Sequence, residues 1–368
     1  MEQSYKKYMQ RCIDLARNGL GNVAPNPMVG SVIVYNGTII GEGFHRNYGG
    51  AHAEVNAINS VKEKGLLPES TLFVSLEPCA HLGKTPPCSD LIIEKRIKKV
   101  VIGTTDPNSV VAGKGIKKLQ GAGVEVIVGV LADECYKLNK RFFTFHLHKR
   151  PYIILKWAQS GDGFIDIHRA PGTPVGPYWI STPVSRMLVH KWRSVEQAIL
   201  AGTNTIVYDN PSLDTRLWSG KSPIRAVLDR KGRIPAQATV LNGKVPTLVF
   251  TEKTIENSPN VEYIKAYFNR DIIGQVLSVF YERGIQSVLV EGGARLTGSF
   301  IESGLWDEAR VFTGNTNFGS GVKAPCIPQS PDVTTKILSD TLSVYRNIEN
   351  KPLNAGAETG NILSLPHL

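Results

Sequence analysis

The stretch from His52 to Cys88 gathers side chains that could do chemistry together. It opens with His52-Ala53-Glu54, continues with Glu77-Pro78-Cys79 and closes on Cys88 after Pro86-Pro87. One imidazole and two thiolates can hold Zn²⁺ and leave a fourth position open, which is the arrangement of catalytic rather than structural zinc. Glu54 follows the imidazole by two residues and supplies a carboxylate that need not coordinate. Cys88 begins an expected helix, where the positive end of the helix dipole favours thiolate.

Hydrolytic deamination of an aminopyrimidine needs these parts. Water must attack a ring carbon, and zinc makes that water hydroxide-like by lowering its pKa to about 7. A carboxylate must then carry the water's two protons in turn, one to the ring nitrogen and one to the departing amine. Zinc deaminases divide the work in this way, with one His and two Cys as ligands and a Glu as shuttle, in the pattern H-x-E…P-C-x-x-C. His52-Ala53-Glu54 and Pro78-Cys79 fit that pattern, but Cys88 follows Cys79 by nine positions instead of three. A plainer reading stands beside it: a buried Cys pair, and a helix start with His and Glu near its cap.

Periodicity gives the elements that must position these groups. Tyr5, Met9, Cys12, Ile13 and Ala16 follow helical spacing, and Gly19 supplies a stop. Residues 29–35 and 38–43 read as strands joined by Asn36-Gly37, a strong hairpin signal. A helix over 51–65 places His52 and Glu54 in its first turn, and a strand over 71–76 leads into Pro78-Cys79. Helices over 89–96, 115–122 and 132–145 alternate with strands over 99–104 and 124–130, which predicts an α/β domain with parallel pairing in its later part. The polar, basic stretch 146–151 marks a boundary, so the expected domains are 1–147 and 148–368.

The second part alternates again. Strands are expected over 152–157, 198–200, 224–228, 247–250 and 286–291, with helices over 183–197, 272–283 and 296–303. The loop 168–177 is rich in Gly and Pro and is not regular structure. Gly292-Gly293 between a strand and a helix forms an anion-cradle pattern without the GxGxxG of a Rossmann turn.

Bulk properties narrow the class. A chain of 368 residues, 42% hydrophobic and 20% charged, suits two globular domains. No apolar run approaches the roughly 18 residues of a membrane span, and the N-terminal stretch lacks a basic-then-apolar signal pattern. A cytoplasmic protein without a membrane partner is expected. Five widely spaced cysteines argue against a disulfide framework, and Cys12 and Cys135 are expected as buried thiols. The net charge of +10 suits phosphorylated small molecules as well as nucleic acid. No aromatic-basic interleaving marks a nucleic-acid face, so none is expected as partner.

The nine-position step carries a resemblance of its own. Residues 77–88, Glu-Pro-Cys-Ala-His-Leu-Gly-Lys-Thr-Pro-Pro-Cys, resemble the zinc loop of the bifunctional riboflavin-biosynthesis deaminase/reductases almost position by position. Pro25-Asn26-Pro27-Met28-Val29-Gly30, His52-Ala53-Glu54 and Asp106-Pro107-Asn108 resemble that family's motifs too. The resemblance implies a cytidine-deaminase-like α/β/α domain with zinc on His52, Cys79 and Cys88 and proton transfer by Glu54. Its substrate would be a diamino-pyrimidinone carrying a ribosylamino 5′-phosphate, which loses its ring 2-amino group as ammonia. Asn26, His45, His81, Lys84, Thr85, Asp106 and Asn108 would line the site. Asn26 offers both a donor and an acceptor to a pyrimidine edge, and Lys84 a point charge to a phosphate.

For the second domain the resemblance is to the same family's reductase, of dihydrofolate-reductase-like α/β fold, which reduces the ribose of the deaminated product to a ribityl chain with NADPH. The motifs are Lys156 to Gly163, Trp179-Ile180-Ser181, Thr203-Asn204-Thr205 through Asp209-Asn210-Pro211, and Glu291-Gly292-Gly293. They imply cofactor contacts from Gln159, Trp179, Thr205, Asp209 and the run Gly293, Ala294, Arg295, Leu296, Thr297, Gly298 and Ser299, with Arg230 near the 2′-phosphate. Arg193, Leu213, Arg216 and Glu291 would contact substrate, and Lys156 is a candidate acid for opening the sugar ring. The stretch Phe-Ile-Asp-Ile-His after Gly163 departs from the family's usual small and basic residues, and Pro177 replaces a usual small polar residue. Homo-oligomers are the family expectation. Two other readings stay open: a nucleic-acid or nucleoside deaminase with an inert second domain, and a structural zinc module fused to a nucleotide sensor.

Overall fold

The computed structural model describes residues 2–80, 86–108 and 112–348, and it divides into two compact units, 1–150 and 151–368. The expected boundary at 147/148 falls in the last turn of a helix that runs to His148.

In unit 1 the helix α1 (Glu2–Arg17) precedes the hairpin β1 (Gly30–Tyr35) and β2 (Thr38–Phe44). Asn36 and Gly37 both take positive φ, 46° and 77°, as the tight hairpin turn requires. Then follow α2 (Ala53–Ser60), β3 (Thr71–Leu76), α3 (Cys88–Glu94), β4 (Lys99–Thr104), α4 (Lys114–Gly121), β5 (Glu125–Val128), α5 (Ala132–Leu138) and α6 (Lys140–His148). The sheet order is β2-β1-β3-β4-β5, antiparallel through the hairpin and parallel from β3 to β5. Strands β3 and β4 are buried along nearly their whole length because helices cover both faces. The core on one face joins Ile33, Ala57, Val74 and Ile102; on the other it joins Met9, Cys12, Phe73 and Cys135.

Unit 2 begins with β6 (Tyr152–Gln159) and β7 (Phe164–Asp166), then α7 (Pro183–Arg193), β8 (Ala198–Gly202), α8 (Thr203–Asp209), β9 (Ile224–Leu228), β10 (Thr247–Thr251) and β11 (Val261–Lys265). It continues with α9 (Ile272–Glu282), β12 (Ser287–Val290), α10 (Ala294–Glu302), β13 (Glu308–Thr313), β14 (Val322–Lys323), β15 (Val333–Ile337) and β16 (Asp340–Arg346). Nine strands form one sheet in the order β11-β10-β9-β8-β12-β6-β13-β16-β15. It is parallel from β11 to β13, and β16 and β15 add an antiparallel edge.

Three of the expected helices end or break early, one beside a local contact and two where a distant partner intervenes, and α8 falls where no helix is expected. The helix expected over 51–65 ends at Ser60, because the Lys64 ammonium folds back onto the carbonyls of Ile58 (2.6 Å) and Asn59 (2.9 Å). The helix expected over 183–197 ends at Arg193, and Gln197 instead joins the sheet, its N–H donating to Ser287 Oγ at 3.1 Å. The helix expected over 132–145 is broken at Asn139. That buried side chain accepts from Met28 N–H and donates to Met28 C=O, both at 2.8 Å, and so fixes the chain entering β1.

Replacing Asn139 by Ala strands both Met28 groups in the interior. Asn139→Ala is expected to lower the stability of unit 1 by about 3 kcal/mol. Urea unfolding followed by far-ultraviolet circular dichroism checks this, and an unchanged transition would contradict it.

Candidate functional site

The sequence brings four reactive groups to one end of the β3 strand. His52 caps α2, with extended backbone (φ −71°, ψ 165°), so its ring leaves the helix while Glu54 sits in the first turn. Cys79 follows β3 directly after Pro78, and Cys88 is the first residue of α3. His52 Nδ1 lies 3.2 Å from Cys88 Sγ and 3.5 Å from Cys79 Sγ, and all three donor atoms fall within 4.8 Å of one another. A tetrahedral zinc with bonds of about 2.0–2.3 Å sets its donors roughly 3.5 Å apart, so these residues fit that ion.

The electrostatics suit a cation. A hydrogen bond from the Cys88 side chain, with further bonds from His52 and the Cys88 N–H, pulls Cys79 down to about 4. The same shared bond, together with burial, pushes the Cys88 thiol up. Two thiols sharing one proton beside an imidazole form a site that a divalent cation completes by displacing that proton. Glu54 is buried, and desolvation, aided by Cys79, pushes its carboxyl up to about 7.

Around this centre, His45 is buried. Its Nδ1 lies 3.0 Å from Ala51 O and its Nε2 lies 3.1 Å from Asn26 Nδ2. Since Ala51 O can only accept, Nδ1 carries the proton and Nε2 receives Asn26 N–H. Asn26 therefore keeps its carbonyl oxygen for another partner. Asp106 accepts from Asn108 N–H at 2.7 Å, and desolvation raises its carboxyl to about 6 against the pull of that bond. His81, Lys84 and Thr85 lie outside the described residues.

Sequence reasoning missed Glu77 as more than the start of a motif. Its buried carboxylate accepts from the N–H groups of Asp106 (3.3 Å), Gly113 (3.0 Å), Gly115 (2.9 Å) and Ile116 (3.3 Å). The carboxylate thus caps α4 and holds Asp106 near Cys79. A Cβ on Gly115 would come within 1.9 Å of Pro78 O, so only glycine lets α4 approach this close. A carboxylate at the end of an apolar strand was the available signal, since it must find buried donors.

In unit 2 the expected residues gather at the C-terminal ends of parallel strands, where open α/β sheets place ligands. Glu291, directly after β12, receives Arg193 Nε (2.7 Å) and Nη2 (2.9 Å) and lies 3.4 Å from Lys156 Nζ on β6. Burial pushes the Glu291 carboxyl up, but Arg193 and Lys156 outweigh it and hold it at about 2. The third Arg193 bond goes to Asp214 O at 3.1 Å, so its fork is committed within the protein. Arg216 is half exposed and bonds Ser212 Oγ (2.5 Å) and Asp214 Oδ1 (2.9 Å). His190, unnoticed in the sequence, accepts Arg216 N–H at 3.1 Å. Burial, with Arg193 and Arg216 nearby, pushes it down to about 4 and keeps it neutral at pH 7. Leu213 takes φ +49° and buries its side chain in the core, leaving only backbone for a ligand.

Among the residues expected to meet a cofactor, Gln159 ends β6 and accepts from Trp157 Nε1 at 3.0 Å. Trp179 is exposed, with the Arg186 guanidinium 4.1 Å from its ring centre. Thr205 and Asp209 lie on α8; Gly293 caps α10, and a Cβ built on it would be 3.8 Å from the Thr205 hydroxyl. Ala294 to Ser299 form the first turns of α10, but Thr297 is fully buried and offers no side chain to a ligand. Arg230 is half exposed and pairs with Glu252 at 3.0 Å.

Comparison with known proteins follows this division. A model of the cytidine and deoxycytidylate deaminase zinc-binding region matches residues 2–104, and a model of the RibD C-terminal domain matches residues 151–346. The chain is 40% identical to the riboflavin biosynthesis protein RibD of Aquifex aeolicus, over 86% of this chain and 88% of that one. It is 42% identical to the protein of that name from Bacillus amyloliquefaciens, over 87% and 86%. Among solved structures it is similar to a diaminohydroxyphosphoribosylaminopyrimidine deaminase/5-amino-6-(5-phosphoribosylamino)uracil reductase from Thermotoga maritima, with a TM-score of 0.84, 41% identity and coverage of 94% and 99%. RibD of Acinetobacter baumannii gives a TM-score of 0.82 at 30% identity, again covering 94% and 99%.

The Glu291 cluster makes a pH prediction. Its folded pKa is depressed, so its contribution is fully present above the ordinary carboxylate value of 4.5 and is lost as pH falls through about 2. Glu291→Gln is expected to cost about 3 kcal/mol at pH 7, because two cations lose their partner. The gap between parent and variant should narrow below pH 4.5 in urea unfolding; a gap constant with pH would contradict the pairing.

Proposed function

This chain belongs to the RibD family of bifunctional riboflavin-biosynthesis enzymes, and on that premise we propose which of its residues perform each of the two reactions. It is a zinc-dependent pyrimidine deaminase joined to an NADPH-dependent reductase. The substrate assigned to unit 1 is 2,5-diamino-6-(5-phosphoribosylamino)pyrimidin-4(3H)-one, and that assigned to unit 2 is 5-amino-6-(5-phosphoribosylamino)uracil. The observation that carries the reading is the convergence of His52, Cys79 and Cys88 within 4.8 Å, with the Glu54 carboxyl buried beside them.

His52, Cys79 and Cys88 would hold zinc, which when bound would make water hydroxide-like near neutral pH. Glu54 takes one proton from the attacking water and passes it to the ring nitrogen, then carries the second, from the hydroxyl so formed, to the leaving amine as the C–N bond breaks. Burial raises the Glu54 carboxyl above its ordinary value, which suits a group that must both take and give a proton. His45, protonated on Nδ1, turns Asn26 so that Oδ1 accepts from an N–H on the pyrimidine edge. Asp106 and Asn108 bound the substrate from the loop that Glu77 holds. His81, Lys84 and Thr85 complete this pocket by resemblance alone.

In unit 2, Gly293 to Ser299 at the start of α10, with Thr205, Asp209, Gln159 and Trp179, would hold NADPH, which when bound would supply the hydride for reduction of the sugar. Arg230 would meet its 2′-phosphate. Lys156 donates the proton that opens the ribosylamine, and Glu291 keeps that ammonium aimed. Arg193 acts through Glu291, whereas the half-exposed Arg216 has donors to spare for the substrate phosphate. No helix among the described residues is long and apolar enough to cross a membrane. The reading places the chain in the cytoplasm as a homo-oligomer that binds phosphoribosylated pyrimidines and not nucleic acid.

The test supplies the diaminopyrimidine substrate with NADPH and follows ammonia release and nicotinamide absorbance together. Glu54→Gln should retain zinc yet lose ammonia release by about a thousandfold, while still oxidising NADPH with the pre-deaminated pyrimidine. Lys156→Ala should do the reverse, losing about a hundredfold in NADPH oxidation. Normal ammonia release from Glu54→Gln would refute the deaminase assignment, and full turnover by Lys156→Ala would remove that residue from the reductase.

A further inference from the structure

The segment between β7 and α7 contains an arginine, Arg169, whose side chain is buried and which no step above uses. The Arg169 side chain is only 5% exposed. Its Nε donates to Asp166 Oδ2 at 2.7 Å, and its Nη2 to Asp166 Oδ1 at 3.2 Å and Asp209 Oδ1 at 2.6 Å. Its Nη1 donates to Gly176 O at 2.9 Å and Tyr208 O at 3.1 Å. These bonds use every donor a guanidinium has. The rings of Tyr178 and Tyr208 lie 5.1 and 5.5 Å from its central carbon, within cation–π range. Gly176 N–H also donates to Tyr208 O at 2.9 Å, which closes the same junction a second time.

One planar cation therefore ties three pieces of backbone: the end of β7, the loop leading to α7, and the end of α8. The loop runs directly into Trp179, and α8 carries Thr205 and Asp209. Asp209 keeps 30% of its side chain exposed, so Arg169 lies behind it and leaves a face outward. Without the guanidinium, Asp166 and Asp209 would face each other as like charges. Burial, with Asp166 adding to it, already pushes Asp209 up to about 6 against the pull of Arg169. A lysine could not replace this fork, since a point charge cannot hold two carboxylates and two carbonyls in one plane.

We propose that Arg169 is a positioning residue for NADPH binding: by locking Asp209 and the 166–178 loop together it fixes one wall of the cofactor site without touching the cofactor. This rests on the assignment of Trp179, Thr205 and Asp209 to that site. Asp166 is the partner that makes the lock, so the two substitutions should act in the same sense and to different degrees.

The test uses the full zinc-loaded chain. All five tryptophans, Trp157 to Trp306, lie in unit 2, so their fluorescence quenching reports NADPH binding there. Arg169→Lys should raise the Kd and KM for NADPH about tenfold or more, which is a loss of oriented hydrogen bonds at constant charge. The kcat at saturating NADPH, the KM for the pyrimidine and ammonia release should stay within about twofold. Asp166→Asn keeps the Arg169–Asp209 pair and should weaken NADPH by about threefold; it decides the matter if circular dichroism shows that Arg169→Lys is misfolded. NADPH affinity within about twofold of the parent in the folded variants would overturn the proposal. So would a fall in kcat at unchanged KM for NADPH, which is what simple loss of folded protein produces. A parent chain that binds no NADPH would instead overturn the underlying reductase reading, and this inference with it.

Discussion

A carboxylate taken out of water must find partners for both oxygens, and in unit 1 Glu77 finds four backbone N–H groups. Much of the zinc-proximal geometry hangs on that satisfaction. Glu77 ends the buried strand β3 and precedes Pro78-Cys79, so the residue that caps α4 also sets where Cys79 leaves the sheet. Because Gly115 carries no side chain, α4 can lie against Pro78 O. The Asp106–Asn108 turn is then held from one side by Glu77 and closed from within by its own Asx bond.

Unit 2 solves the same problem with side chains rather than amides. Glu291 is met by a bidentate Arg193 and by Lys156, and a buried carboxylate so paired stays ionised. The consequence is a division of labour among cations that look equivalent in sequence. Arg193 is spent on Glu291 and Asp214; Arg169 is spent on Asp166, Asp209 and two carbonyls; Arg216 stays half exposed. The count of 42 Lys and Arg residues thus overstates the basic surface, since several of them are paired inside.

The two sites also treat histidine differently. His52 sits between two thiols at a helix cap, where it can serve as a ligand. His45 and His190 are pushed towards the neutral form by burial, and each then accepts a hydrogen bond that orients a neighbour, Asn26 in one case and the Arg216 backbone in the other. Type alone does not separate ligand from support.

Much was legible in the chain itself. In unit 1 the order of helices and strands follows from periodicity and the hairpin at Asn36-Gly37 from its turn chemistry, whereas in unit 2 the short α8 and the strands β7, β11 and β13 to β16 gave no such signal. The zinc set follows from residue types, because few combinations other than His, Cys and Cys with an adjacent Glu make that chemistry. Local patterns failed where a distant partner decided the outcome: Asn139 breaks a helix to reach Met28 across 111 residues, and Gln197 leaves its helix for the sheet. The same holds for roles. The sequence determined which side chains are chemically capable, since capability is a property of the side chain. Only the tertiary structure decided which are free to act, since that depends on the groups each must satisfy once water is gone. Arg193 met Glu291, Leu213 and Thr297 turned inward, and Glu77 and Arg169 acquired work that no spacing in the chain announces.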